Sequence, residues 1–433
     1  MKHLSVKTIL ELTGGRLPQA ALADASGVSF HTSRVKPGDA FFALSGAAMH
    51  GIKFANEALQ RGAAFVVSDR PHPQGILVED AAQSLLELGR WARRQYEGEI
   101  IGITGSAGKT STKAFVAAAL GAPSSPGNFN TPFALATTLV DSYLAQKKAE
   151  PLILELGIDH VGEMAQLTDL VAPSHGLITL IAESHLEGLG SLEQVASEKS
   201  QLLYSAEHKF ASYQTLRFLD KALRPNVTSY GLNNDAANIV ARVTEAEGLT
   251  QIIDFRDVRL RLGYPGRAMA YNAVAALVLA EVLGAPLKKA AERIEAAVLE
   301  PGRLQALNVG NALILDDSYN SNPASAKASL EVLRASPGPH TAVLGDMLEL
   351  GQEAQTLHKE LGEQTQGLDR VIAIGEHAED LKEGNPDVET FASLGEALTT
   401  LSMLELKGTI LVKGSRGMRL ERVLEVLKQG VPA

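Results

Sequence analysis

Ile100-Ile-Gly-Ile-Thr104-Gly105-Ser106-Ala107-Gly108-Lys109-Thr110 is the stretch on which the fold turns. Its first five residues are a short apolar run without polar alternation, the pattern of a strand covered on both faces in a parallel sheet. Two glycines then punctuate the chain, and residues 111–120 read as a helix. Strand, glycine turn and helix in that order predict an α/β layer with the loop at the sheet's carboxyl edge.

Working outward, short apolar runs alternate with helical patterns along all 433 residues, too many for one core. The reading is α/β with three domains: 1–95, 96–304 and 305–433. The first contains strands at 39–45 and 64–68, a helix near 54–62 and an amphipathic helix over 81–96. The second adds strands at 152–156 and 176–181 to the one at 100–104. The third has strands starting at 313, 341, 370 and 408, and Pro301-Gly302 marks the junction before it.

With 40 basic against 50 acidic residues, the chain carries a formal charge of −10, which argues against nucleic acid as a partner. The count of zero cysteines excludes disulfides, thiolate catalysis and sulfur-ligated zinc. No uncharged apolar run approaches the roughly 18 residues that span a bilayer, and the N-terminus lacks a secretory apolar segment. The expectation is a cytoplasmic protein without membrane insertion.

Gly105, Ser106, Ala107, Gly108, Lys109, Thr110 and Ser111 make a loop whose backbone N–H groups can approach phosphate, helped by the helix dipole. In that reading Lys109 reaches the β- and γ-phosphates, and the Thr110 hydroxyl ligates magnesium. The strict pattern wants glycine at position 103, where Ile103 stands, so a plain strand-to-helix turn stays open. Glu155 ends an apolar strand, where a carboxylate needs a cation, so it reads as a metal ligand or as a strand end in solvent. His185 follows the next strand and faces the crevice in which open α/β sheets bind ligands; alone it reads more often as a surface or hydrogen-bonded histidine, and Lys109 and Glu155 in matching positions reverse that. Lys199 sits beside Glu198 in a helical segment, and the default for that pair is a solvated charged face.

Together these motifs resemble the Mur ligase family. Thr104 to Thr110 match its Thr-Gly-x-x-Gly-Lys-Thr loop, in which the first glycine is not required. Gly127-Asn-Phe-Asn130, Glu155-Leu-Gly157, His185-Leu-Glu-Gly-Leu-Gly-Ser191, Asn272-Ala-Val-Ala-Ala276, Pro301-Gly-Arg303 and Asp316-Asp317-Ser-Tyr-Asn320 follow in the family's order. The resemblance implies a UDP-binding N-terminal domain, a P-loop central domain and a Rossmann-like C-terminal domain that closes on nucleotide. The cofactors it implies are ATP and Mg2+, with Lys199 carried as a carbamate. It also implies ADP-forming amide synthesis through an acyl phosphate, in peptidoglycan precursor assembly. Asp316-Asp-Ser-Tyr-Asn-Ser-Asn-Pro323, Leu344-Gly-Asp-Met-Leu-Glu-Leu-Gly351 with His358, and Val412-Lys-Gly-Ser-Arg416 resemble the member using UDP-N-acetylmuramoyl-tripeptide and D-alanyl-D-alanine.

Carried over residue by residue, Lys109, Lys199 and His185 are catalytic, and Thr110, Glu155, His185 and Lys199 hold metal. Asn272 lies near adenine, Arg303 meets phosphates and Asp317 positions ribose. Ser33 and Arg34 bind the UDP moiety, although Thr32 stands where the family has an acidic residue. Ala268 and Met269 replace the usual His-Asn pair, which points to a different arrangement around adenine. The resemblance leans towards a monomer. A sibling ligase adding one amino acid, a folate-type ligase and a non-catalytic binding relative are the other readings.

Overall fold

The computed structural model describes residues 2–17, 21–46, 49–146, 148–244 and 249–429. Three sheets organise them. The first is four-stranded and parallel, in the order Gly27–Ser29, Asp39–Phe42, Phe65–Ser68, Gly75–Leu77. Its outer strands are three residues long, too short to give a periodic signal.

The second sheet has eight strands. Ile100–Thr104 lies between Leu152–Glu155 and His175–Ile178, all parallel, and its five residues are buried, as its unbroken apolar run predicts. The parallel run continues through His208–Ser212, Thr228–Leu232 and Ile239–Thr244. Two antiparallel strands, Gln251–Phe255 and Val258–Leu262, complete the edge. This extension from 208 to 262 went unread in the sequence. Its last hairpin alternates polar residues such as Arg259 and Arg261 outward, as a half-covered antiparallel edge does.

The third sheet has six strands, five parallel and one antiparallel, with Asn311–Asp317 and His340–Gly345 on either side of Lys407–Lys413. The carboxyl ends of these three strands carry the loops 318–322, 346–350 and 414–416.

Helix Ala81–Gln95, capped by the Asp80 side chain accepting from Gln83 N–H, packs along helix Pro132–Ala145 of the following stretch. Leu85 and Leu88 from the first helix and Leu135 and Leu139 from the second fall in one apolar core. The first sheet is therefore welded to the second by helix packing. A buried carboxyl lies in this weld. Asp141 Oδ1 accepts from Val28 N–H at 3.2 Å, and its pKa is pushed up to about 6, first by desolvation and also by Asp39, against Lys36 and the Val28 bond.

A carboxyl raised in the folded state favours folding when protonated, and that contribution is lost as pH rises through about 6. Asp141→Asn keeps an acceptor for Val28 N–H and removes the buried charge. The variant is expected to melt about 2–4 °C higher at pH 8, the effect of ~1 kcal/mol in a domain of this size, and to match the parent only below about pH 4, the unfolded carboxyl's range. A gain of equal size at both pH values would show that the Asp141 charge is not the cause.

Candidate active site

The chain leaves strand Ile100–Thr104 through Gly105 and enters helix Lys109–Leu120 from Gly108. Both glycines are required. Gly105 has φ 152° and Gly108 φ 80°, and a Cβ would lie 2.0 Å from Thr179 Oγ1 at the first and 2.6 Å from Asn272 Oδ1 at the second. Ser106 Oγ donates to Ala182 O at 2.6 Å and Thr179 Oγ1 donates to Ala107 O at 2.6 Å, which pins the loop to the segment after strand His175–Ile178. Ser111 is buried in the first helical turn.

Lys109 Nζ folds back to donate to Gly105 O at 2.7 Å. Burial pushes its pKa down, while the Glu155 charge opposes that shift. Thr110 Oγ1 accepts from Arg303 Nη2 at 2.9 Å, and the Arg303 guanidinium lies 3.9 Å over the Tyr319 ring. Asn322 Nδ2 donates to Ser106 O at 3.0 Å. Tyr319, beneath Arg303, and Asn322 thus bring the last third of the chain onto the P-loop. Asp317 is held within its own unit, where Oδ2 accepts from Ser329 Oγ at 2.6 Å and Lys413 Nζ at 2.5 Å. Asn272 touches Gly108, and its Nδ2 lies 3.8 Å from Met269 Sδ. The thioether is a weak acceptor in the place where the resemblance expects an amide.

Glu155 is 2% exposed and does not face solvent. Its Oε1 accepts from Asn130 Nδ2 at 3.4 Å, and Oε2 lies 3.4 Å from Lys113 Nζ. Lys113 also donates to Gly127 O and so ties the 126–130 loop to the P-loop helix. Sequence reading missed Lys113, although a lysine four residues after Lys109 lies on the same helical face. Arg303, Thr110, Lys113 and Gly127 line a cavity of about 200 Å³ beside this pair. Arg34, on the exposed turn Thr32–Arg34 with Ser33, stacks 4.0 Å over Phe129, joining the N-terminal segment to the same loop.

The solvated face expected around Lys199 is overturned. Lys199 is fully buried and Glu198 is 7% exposed, because helix Leu192–Ser205 is packed against both strand His175–Ile178 and helix Glu163–Val171. Lys199 Nζ has no hydrogen-bond partner. Burial first, and the Lys109 charge second, push its pKa well down. Burial without a partner favours the neutral amine over the ammonium.

His185, with φ 52°, sits 3.1 Å from Asp159 Oδ1 and 2.5 Å from Glu349 Oε2 through Nδ1. The His185 contact holds the Glu349 carboxyl below its usual range. Glu349 was quoted in a motif but given no role, and Asp159 was not singled out. Among the described residues Asp159, His185 and Glu349 bring ligand atoms within 4.8 Å of one another, a set that fits a divalent cation, while Thr110 and Glu155 are engaged by Arg303 and Lys113. Burial without a partner at Lys199 fits a carbamate. No helix among the described residues is long and apolar enough to cross a membrane.

A phosphate-binding loop at a parallel sheet's carboxyl edge, covered by residues from a second α/β unit, defines a P-loop nucleotide protein closed by its C-terminal part. Three family models match the chain: the Mur ligase family catalytic domain over 24–94, the Mur ligase middle domain over 103–280 and the Mur ligase glutamate ligase domain over 302–416. It is 30% identical to the UDP-N-acetylmuramoyl-tripeptide–D-alanyl-D-alanine ligase of Escherichia coli (strain K12), covering 99% of each chain. Identity to the enzyme of that name from Bacillus subtilis (strain 168) is 29%, covering 98% of each. The crystal structure of MurF from Acinetobacter baumannii superposes with a TM-score of 0.85 at 25% identity over 99% of both chains. MurF ligase from Thermotoga maritima, solved in complex with ADP, gives 0.79 at 26% identity, covering 93% of this chain and 97% of that one. The chain belongs to the Mur ligase family.

The buried pair of Lys113 and Glu155 yields a direct test. Removing one partner of a buried ion pair costs about 3–5 kcal/mol. Lys113→Met is expected to lower the unfolding free energy by that order in denaturant titrations, and saturating magnesium to recover part of it by supplying Glu155 with another cation. A loss below ~1 kcal/mol would mean that the pair carries little of the local structure.

Proposed function

We propose that this protein is an ATP-dependent amide ligase that joins D-alanyl-D-alanine to a UDP-N-acetylmuramoyl-tripeptide, forming ADP and phosphate, in peptidoglycan precursor synthesis in the cytoplasm. The observation that carries the reading is a P-loop whose Lys109 feels the charge of Glu155 and is felt in turn by buried Lys199, in a chain that aligns end to end with ligases of that name. Residues 1–95 would hold the UDP moiety through Ser33 and Arg34, 96–304 the ATP, and 305–433 would close on the nucleotide. The family resemblance supports a monomer.

In this scheme the tripeptide's terminal carboxylate attacks the γ-phosphorus of ATP, giving an acyl phosphate and ADP. The dipeptide amine attacks the acyl carbon, loses a proton, and the tetrahedral intermediate expels inorganic phosphate. Both steps gather negative charge on oxygen, so fixed cations stabilise them more than they stabilise the ground state. Lys109 and Arg303 supply those cations at the loop, and the backbone turn at Gly105 to Gly108 sets phosphate position. Magnesium, held by Thr110, Glu155, His185 and the Lys199 carbamate, would neutralise phosphate charge. Asn272 orients adenine from above Gly108 while Met269 supplies only a thioether. Covering of the loop by Tyr319 and Asn322 excludes water from the acyl phosphate.

Phosphate release should require both UDP-N-acetylmuramoyl-tripeptide and D-alanyl-D-alanine, with the dipeptide-extended product seen by mass. Lys109→Ala should reduce turnover by at least 10²-fold, of order ~3 kcal/mol in barrier. Release with a shorter UDP-peptide and a single amino acid instead would make it a sibling ligase, and silence under every pairing would favour a non-catalytic relative. Lys199 should give a bicarbonate-dependent carbamate signal in 13C NMR that disappears in Lys199→Ala. An unlabelled Lys199 under saturating 13C-bicarbonate would count against the carbamate.

A further inference from the structure

His358 completes the motif that begins at Leu344, and the proposed chemistry gives it no task. It lies on helix Ala354–Gln364 and is fully buried, with both ring nitrogens engaged. Met347 N–H donates to Nε2 at 2.9 Å, and Nδ1 lies 2.7 Å from Ala354 O. A backbone N–H can only donate and a carbonyl can only accept, so Nε2 holds the lone pair and Nδ1 the proton. The ring is uncharged in this arrangement, because a proton on Nε2 would face the Met347 N–H.

The bond from Met347 is one of several that mount the loop 346–350. Asp346 accepts from His377 N–H at 3.1 Å and Glu376 N–H at 2.9 Å, and Ser415 Oγ accepts from Leu348 N–H at 2.9 Å. The loop's far end is strained. Glu349 has φ 65°, a conformation that a non-glycine residue keeps where its surroundings impose it. That end meets the central unit: Glu187 N–H donates to Glu349 O at 3.1 Å, and the turn Gly351–Glu353 packs on helix Leu186–Leu189. Of the side chains that hold the loop, Asp346, Ser415 and His358, only an imidazole ordinarily changes charge between about pH 5 and 8.

The charged groups that bear on this ring come from three elements. His377 stacks on it with ring centres 4.4 Å apart and planes at 16°, and its own Nδ1 lies 2.7 Å from Asp380 Oδ2. Burial pushes the His358 pKa down; the Ala354 bond opposes that shift, His377 adds to it, and Asp346 and Asp380 oppose it. A histidine depressed in the docked state favours docking above its ordinary range, and that contribution is lost as pH falls below about 6.5.

We infer that His358 is a positioning residue that holds loop 346–350 against the turn at 186–189 only while its ring is uncharged, so that the C-terminal unit lets go of this edge in acid. Docking follows from the hydrogen bonds alone, whereas its effect on turnover rests on the ligase activity proposed above.

The full chain is compared with its His358→Gln and His358→Leu variants. A glutamine amide oxygen gives Met347 N–H an acceptor that does not titrate, and leucine gives it none. Amide hydrogen exchange, corrected for its intrinsic pH dependence, is read by mass spectrometry over 186–189 and 346–350. In the parent, protection of both segments should fall about five- to tenfold from about pH 7.5 to 5.5. His358→Gln should stay level over that range, and His358→Leu should be poorly protected throughout. Strand His340–Gly345 of the same unit should remain protected in all three, which a general loss of fold would not allow. Should leucine prevent folding, as circular dichroism would show, the parent and His358→Gln decide the matter. Parent protection that is level with pH overturns the inference, as does an acid loss that persists in His358→Gln. Ligase turnover is measured alongside, and the parent's kcat should fall more steeply in acid than that of His358→Gln. The expected exchange in a chain without turnover sinks the ligase reading alone, whereas turnover with level exchange sinks this inference alone.

Discussion

Everything at this site depends on the cost of burying ammonium groups at the carboxyl end of one parallel sheet. An isolated buried cation is penalised by several kcal/mol unless it is paired or gives up its proton. Three lysines meet that cost differently. Lys113 takes a carboxylate and a backbone carbonyl, Glu155 and Gly127. Lys109 takes the Gly105 carbonyl and the more distant charge of Glu155. Lys199 takes neither, and its pKa falls furthest in consequence. In the proposed scheme one lysine is structural, one meets an anion and one is carried as a carbamate. The difference lies in what each finds within hydrogen-bond reach, since their chemistry is the same.

The backbone makes this arrangement possible. Ile100–Thr104 is covered on both faces and flanked on both sides, so its end is fixed, and the two glycines turn the chain without a Cβ to push Thr179 or Asn272 away. The loop at 126–130 is then held from three directions: by Lys113 from the P-loop helix, by Asn130 reaching Glu155, and by Arg34 on Phe129. A segment that belongs to no strand or helix is placed by polar contacts from its neighbours. In the proposed scheme it lies where a UDP-linked substrate must pass to reach the γ-phosphate.

Much of this was legible in the sequence, and the failures have physical causes. The strand at 100–104 and the helix after it were readable because a covered strand is apolar throughout and glycine punctuates it. Strands of three residues carry no period, so Gly27–Ser29 and Gly75–Leu77 stayed invisible. Lys199 was misread because Glu198 beside it looks like solvent chemistry. Its burial comes from a strand and a helix far along the chain, which no local window reports. The P-loop lysine, Glu155 and His185 could be named, yet the pairing of His185 with Glu349 across 164 residues is a fact of domain placement. Lys113 is the instructive miss, since its spacing from Lys109 was a usable signal and only the habit of stopping at the loop hid it.

Domain placement also bears on how the site works. At the P-loop, the C-terminal third arrives through Tyr319 beneath Arg303, Asn322 on Ser106 and Glu349 on His185. Each is polar, and none of the three side chains is fully buried. Such contacts contribute about 0.5–1.5 kcal/mol apiece, beside an apolar seam in which Leu330 and Val332 share one core with Met269 and Ala270. A ligand that touches both sides can shift that balance by its differential affinity for the two states. In the proposed scheme a nucleotide on the P-loop that also meets Tyr319 or Asn322 would be such a ligand. The apolar part of the seam, with Val332 against Gly266, does not respond to charge. The polar character of these three contacts therefore suits a reaction in which substrates enter, react away from water and leave.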